Sequence, residues 1–324
     1  MRRGPQTAML GVANPGHPPK EPTMRTRQIT EGSVVVGVDG SPSSGLALRW
    51  AVNEARRTHR ELHVVHALET EVVLTDSEPL GTKDDPAGGD PVATAAVDVV
   101  RTMAPELRTA AHSVTGFAPT TLIAASKLAG MLVMGSHGRS AIPGALTGSV
   151  SQQVAIHSSC PVVVVRENSN PDAALAGDVV VGVDGSEASE PALGYGFAYA
   201  ASTGGRLIAV HTWWWEPLEG TSLGEPWTGD WTEIASQEAS VVSESLAGWS
   251  EKYPDVPVRS HVVRGDPVVE LLDQSRGASL LVVGSRGRGG FIGLLLGSVS
   301  RRVLKRATCP VAVVRSADRD KHPA

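Results

Sequence analysis

Val36-Gly37-Val38-Asp39-Gly40-Ser41 returns as Val181-Gly182-Val183-Asp184-Gly185-Ser186, an offset of 145 residues (182 − 37). A block kept intact at that distance marks an internal repeat, and a repeat decides architecture before any single element does. Further out, Gly135-Ser136-His137-Gly138 returns as Gly284-Ser285-Arg286-Gly287, and Cys160-Pro161 returns as Cys309-Pro310, both now offset by 149. The growth of four is a loop insertion. The chain therefore reads as two copies of one domain, residues 31–166 and 178–315, joined by a linker over 167–177 rich in Asn, Asp, Pro, Ala and Gly. Residues 1–30 have no counterpart in the second copy and read as a disordered extension, with Met24 as an alternative start, and 316–324 read as a tail.

Each copy alternates strand and helix. Val34 to Val38 is a β-branched run; Ser41 then offers an N-cap and Pro42 a first helical position, after which Ala47, Trp50, Ala51 and Ala55 share one helical face. The second copy repeats that face as Ala192, Tyr195, Gly196 and Ala200. Second strands are expected at Leu62 to His66 and Ile208 to His211, third strands at Ala110 to Thr115 and Val258 to Val263. Fourth strands follow at Met131 to Met134 and Leu280 to Val283, fifth strands at Val162 to Val165 and Val311 to Val314. Apolar strands without polar alternation, separated by helices, imply a mostly parallel sheet covered on both faces. Right-handed crossovers make it doubly wound, and ligands then bind beyond the carboxyl ends of the strands, where strand order reverses.

Composition narrows the function classes. At 324 residues, with 41% apolar and 19% charged residues, the chain has ample core for two domains. A net charge of −5 without a basic stripe argues against nucleic acid. No stretch approaches the roughly 18 apolar residues that span a bilayer, and no apolar signal-peptide core precedes the first domain, so a cytoplasmic location is expected. Cys160 and Cys309 are too few for a disulfide framework or a metal site and read as small buried residues.

The glycine loop after the fourth strand carries the chemistry. It runs Gly135-Ser136-His137-Gly138, nine residues, then Gly148-Ser149-Val150-Ser151, and repeats with identical spacing as Gly284-Ser285-Arg286-Gly287 and Gly297-Ser298-Val299-Ser300. Glycine lets backbone amides approach a ligand, the Gly-Ser pairs open a helix whose free amides favour an anion, and Arg139 and Arg288 add a cation. Together these make a phosphate cradle. Asp39 and Asp184 end the first strands, where each carboxylate either contacts a ribose or base or caps the following turn.

This combined pattern resembles the universal stress protein family, in the tandem form known from actinobacteria, over nearly the whole of both copies. The resemblance implies a five-stranded Rossmann-like sheet in each copy that binds ATP, with or without Mg. In copy one it assigns adenosine contact to Gly37, Val38, Asp39 and Ala67, and phosphate contact to Gly135, Ser136, His137, Gly138, Arg139, Ser140, Gly148, Ser149, Val150 and Ser151. In copy two the same roles fall to Gly182, Val183, Asp184 and Thr212, and to Gly284, Ser285, Arg286, Gly287, Arg288, Gly289, Gly297, Ser298, Val299 and Ser300. Two departures stand out. The Asp that the family often has before the fourth strand is Gly130 and Ser279 here, and the Gly265-Asp266-Pro267 turn of copy two is Gly116-Phe117-Ala118 in copy one.

Several further features keep more than one reading. Trp213, Trp214, Trp215, Trp227 and Trp231 form either a lid or partner patch, or packing against the neighbouring domain. His66 and His211 are either hydrogen-bonded structural residues or site residues. The function is a nucleotide-dependent regulatory or stress-response protein acting on an unnamed protein partner, or else a slow ATP-hydrolysing enzyme or a nucleotide-free scaffold. No Walker lysine, Ser-Gly-Gly-x-Asp-Ser loop or His-x-Gly-His segment supports efficient chemistry on ATP. Finally, the valine-rich fifth strands are edge strands that need covering; pairing them with each other within the chain is expected, with a homodimer as the alternative.

Overall fold

The computed structural model describes residues 29–68, 89–138, 148–166, 169, 177–213, 231–288 and 296–315. The first half runs β1 (Val34–Val38), α1 (Pro42–Thr58), β2 (Leu62–Leu68), α2 (Pro91–Met103), β3 (Thr109–Thr115), α3 (Ala118–Ser126), β4 (Met131–Gly135), α4 (Ser149–His157) and β5 (Val162–Val165). The second runs β6 (Val179–Gly182), α5 (Glu190–Thr203), β7 (Leu207–Trp213), α6 (Trp231–Lys252), β8 (Val258–Arg264), α7 (Pro267–Gln274), β9 (Leu280–Gly284), α8 (Ser298–Arg306) and β10 (Val311–Val314). The expected linker lies mostly outside the described residues, as do residues 1–28 and 316–324.

Local chemistry sets these elements. Ser41 is extended and accepts a hydrogen bond from the Ser44 amide, Pro42 follows at the first helical position, and α1 stops at His59 in the left-handed region (φ 52°). The apolar face read from sequence is the one that packs: Ala47, Trp50, Ala51 and Ala55 are all fully buried. Strand register repeats between the halves. Val34 sits beside Leu62 and Leu62 beside Thr109, and in the second half Val179 sits beside Leu207 and Leu207 beside Val258.

All ten strands form one sheet in the order β3-β2-β1-β4-β5-β10-β9-β6-β7-β8. Every neighbouring pair is parallel except β5 and β10, which meet antiparallel with Val162 opposite Val313, Val163 opposite Ala312 and Val164 opposite Val311. Val163 and Ala312 are the same repeat position, so the two edges meet about a pseudo-twofold axis and each is the other's cover. One apolar layer then runs across both halves under α1, α2, α5 and α6, and a second lies under α3, α4, α7 and α8. Trp50 of α1 stacks on Tyr199 of α5 across the axis at 6.5 Å, with the Arg57 guanidinium over the same Tyr199 ring. On the opposite face Arg166 donates to the Leu304 carbonyl and Arg315, its repeat partner, donates to the Ser158 carbonyl.

Cys160 and Cys309 are buried free thiols, and burial pushes both up to about 11. Burial and the raised pKa both keep them as neutral thiols, as expected of packing residues.

Candidate functional site

Within each half the strand order places β1 beside β4, and β6 beside β9, with the outer strands leaving in opposite directions. The crevice above that reversal is where a doubly wound sheet holds ligands. Asp39 and the Gly135–Gly138 loop reach it in the first half, Asp184 and the Gly284–Gly287 loop in the second.

Of the two roles that the sequence left open for the aspartates, the structure shows the turn cap. Asp39 Oδ1 accepts the Ser41 amide at 3.0 Å, closing an Asx turn, and its other oxygen faces the glycine loop, where a Cβ on Gly138 would stand 2.8 Å from Oδ2. Asp184 repeats this: Oδ1 accepts the Ser186 amide and hydroxyl at 3.0 and 2.6 Å, and Oδ2 accepts the Arg288 amide at 2.6 Å. A Cβ on Gly287 would stand 2.5 Å from that Oδ2. Burial alone would raise the Asp184 pKa, but hydrogen bonds from Ser186, Arg288 and Ser189 outweigh it and hold the carboxyl below its ordinary value. The Asp184 carboxylate thus fastens the turn after β6 to the loop after β9, and in the first half the Ser41 hydroxyl donates to the His137 carbonyl at 3.4 Å to join the corresponding turn and loop.

The other glycines serve close packing. A Cβ on Gly135 would collide with the Ser43 backbone, and one on Gly284 would lie 3.3 Å from the Ala188 carbonyl, the same repeat position as Ser43. Gly37 and Gly182 lie against the Leu122 and Leu271 side chains of α3 and α7. Val38 and Val183 are buried below the rim, and Ala67 and Thr212 stand half-buried near the ends of β2 and β7.

One expectation about the helix openings is corrected. The Gly148 and Gly297 amides are not free: they donate to the Ser136 and Ser285 carbonyls at 2.8 and 2.7 Å, which pins the end of the loop to its beginning. Ser151 and Ser300, expected among the phosphate contacts, are buried, and their hydroxyls donate to the Gly148 carbonyl at 2.9 Å and the Gly284 carbonyl at 2.6 Å. The anion-attracting groups are therefore the first-turn amides of α4 and α8, which no N-cap side chain covers, together with the exposed Ser149 and Ser298. His137 is half-buried, with Nδ1 2.9 Å from the Ser136 hydroxyl, and Gly138 and Gly287 are exposed. Arg139, Ser140 and Gly289 lie outside the described residues.

Asp90 is a rim residue that the sequence reading missed. It caps α2 by accepting the Val92 and Ala93 amides, and its Oδ2 lies 2.7 Å from both His66 Nδ1 and the Ser113 hydroxyl. Burial would raise its pKa, but Ser113, His66 and the Ala93 amide together hold it below the ordinary carboxylate value. In the second half His211 places Nδ1 2.8 Å from the Val183 carbonyl and Nε2 2.8 Å from Glu238. Both histidines are hydrogen-bonded members of the scaffold. Of the tryptophans, Trp213 stacks on Trp231 at 6.0 Å, and Arg264 lies 4.1 Å over the Trp231 ring. All three belong to the second half. Trp214, Trp215 and Trp227 lie outside the described residues.

The departures have local explanations. A side chain at Gly130 would run into the Gly32 carbonyl, while Ser279 donates from its amide and hydroxyl to the Asp178 carbonyl and so ties the start of β9 to that of β6. Asp266 caps α7 through the Val268 and Val269 amides, whereas Phe117 gives α3 no side-chain cap and is 59% exposed.

Among the described residues no group of His, Cys, Asp and Glu is arranged to hold a metal ion, and no helix is long and apolar enough to cross a membrane. The model of the universal stress protein family matches residues 32–166 and again 177–315. A universal stress protein of Mycobacterium tuberculosis is 38% identical over 299 residues, covering 88% of this chain and 96% of that protein. Another from Mycolicibacterium smegmatis is 36% identical over 300 residues, covering 88% and 98%. Among solved structures, a universal stress protein from Archaeoglobus fulgidus superposes with a TM-score of 0.58 at 21% identity, covering 90% of this chain and 98% of that one. At that identity the likeness speaks for the fold.

Proposed function

Because this chain belongs to the universal stress protein family, we propose that it binds one ATP in each half and acts as a nucleotide-dependent regulatory protein of the stress response. The observation that carries this reading is the repeated union of carboxylate and loop: Asp39 against Gly138 and Asp184 against Gly287, each beside a helix whose first-turn amides lack a side-chain cap. Asp39 and Asp184 suit the ribose or base, and the amides and the exposed Ser149 and Ser298 suit the phosphates. A Mg ion would arrive with the phosphates, since one carboxylate per site is too few for an all-protein cage.

Efficient turnover is not expected. His211 has both ring nitrogens engaged, His66 is tied to the Asp90 that caps α2, and neither glycine loop is followed by Lys-Ser or Lys-Thr. Neither of these two histidines is therefore available to activate water as a general base. Phosphate release should stay below the enzymatic range of about 1 to 1000 per second. Release within that range, abolished by changing Asp39 and Asp184 together, would move the protein into the enzyme class. The test of the binding reading is to denature the purified protein and identify the freed nucleotide by mass spectrometry. ATP is the expected species, and a protein that carries no nucleotide and takes none up on incubation contradicts the reading.

A further inference from the structure

The two halves repeat the helix that opens at the phosphate loop but not its charge. α4 reads Ser149-Val150-Ser151-Gln152-Gln153 and α8 reads Ser298-Val299-Ser300-Arg301-Arg302. The buried Ser151 and Val154 correspond to the buried Ser300 and Val303, so the scaffold is unchanged while two neutral solvent-facing amides become two arginines. One step earlier, His137 becomes Arg286. That position adjoins the helix opening in both halves: the His137 Cα lies 3.6 Å from where a Gly148 Cβ would stand, and the Arg286 Cα 3.5 Å from the Gly297 equivalent.

Arg302 is already committed, with Nη1 and Nη2 3.1 and 3.2 Å from Asp266 Oδ2, and in the first half that ion pair is replaced by Phe117 and Gln153. Lys305 and Arg306 lie in the last turn, where cations complement the helix dipole. Arg286 and Arg301 remain. Among the described residues neither forms an ion pair, and a side chain in the position of Arg301 leans back toward the helix N-terminus. Close to the helix opening the second mouth therefore carries Arg286 and Arg301 where the first carries His137 and Gln152, while Glu187, where the first half has Pro42, stands on the opposite wall after β6.

We infer that the two nucleotide sites are tuned to different phosphate charge, the second holding a nucleoside triphosphate more tightly than the first through Arg286 and Arg301, while a nucleoside monophosphate distinguishes them little. The inference rests on the ATP reading above. A hydrogen bond to a charged group contributes enough to change affinity by about tenfold or more. Both side chains are at least partly exposed, so the difference must also shrink as salt shortens the screening length.

The test is calorimetric titration of nucleotide-free, full-length protein with ATP and with AMP, at about 0.05 M and about 0.5 M salt, where the screening length falls severalfold. ATP should bind in two phases separated by about tenfold or more at low salt, and the phases should converge at high salt. AMP should give one phase. The double variant R286H/R301Q should merge the tight ATP phase with the weak one, and the reverse graft H137R/Q152R should tighten the weak phase. Equal ATP sites at low salt, or a reverse graft that binds no tighter, would overturn the inference and leave the ATP reading standing. No ATP binding at all would overturn both.

Discussion

A Cβ at Gly138 or Gly287 would press on the carboxylate of Asp39 or Asp184, which itself holds the turn after the first strand. Gly138→Glu and Gly287→Glu should therefore each abolish ATP binding in their own half while the other half still binds. Folding should survive, because both positions are exposed and lie outside the helices and strands. Either variant binding like wild type would show that the loop is not the phosphate cradle. Asp90 makes a different prediction. Its pKa is depressed in the folded chain, so its stabilisation is complete above the unfolded value of about 3.9 and is lost as pH falls through the lower folded value. Asp90→Ala should cost about 2 kcal/mol at neutral pH, leaving His66 and Ser113 without their acceptor. The cost should shrink below about pH 4, where the wild-type carboxyl also takes up a proton. A difference in thermal midpoint that is flat with pH would contradict this. Asp90 was readable in principle, since Asp-Pro is a helix-start signature. It escaped notice because the matching position of the second copy, Ala239, lies inside a longer helix, so the repeat gave no second sighting. Gly148 and Ser151 were legible as motif members, but the direction of their hydrogen bonds was not, because spacing does not say whether an amide faces a ligand or its own loop.

At the level of elements the two halves differ most in how helices begin. Asp266 caps α7, and its carboxyl is held below its ordinary value by the Val268 and Val269 amides and then by Arg302, which together outweigh burial. α3 starts at Phe117 with no such partner and with Pro119, which has no amide hydrogen, in its first turn. Asp266→Ala should cost about 1 kcal/mol. Phe117→Asp should gain roughly half as much, because only the Thr120 amide is available to the new cap. Thermal midpoints of the two variants check the pair, and a Phe117→Asp variant less stable than wild type would contradict the account. The strands were legible to within about two residues because most are short apolar runs rich in valine, and the repeat showed each of them twice. The start of α6 was not. It has 22 residues against 13 in α2, and its early turns carry Trp231 onto Trp213 and Glu238 onto His211, contacts that arise between segments distant in sequence.

For the molecule as a whole, the decisive contact is between β5 and β10. Two sheets with valine-rich edges become one because each edge saturates the other, and Val162, Val163, Val164, Val311, Ala312 and Val313 are at most 1% exposed as a result. Replacing Val164 and Val313 together by Lys buries two ammonium groups opposite Val311 and Val162. It should cost about 3 kcal/mol or more and separate the halves. Unchanged compactness in small-angle scattering, together with unchanged thermal stability, would refute that role for the strands. Because β5 and β10 meet antiparallel, the carboxyl ends of the two sets of parallel strands point to opposite edges of the sheet, so the crevice above β1 and β4 is separate from the one above β6 and β9. Calorimetric titration of nucleotide-free protein with ATP tests the central claim most directly. The account predicts a stoichiometry near two per chain, falling to one in either Gly→Glu variant; a stoichiometry of one or none in the wild type would contradict it.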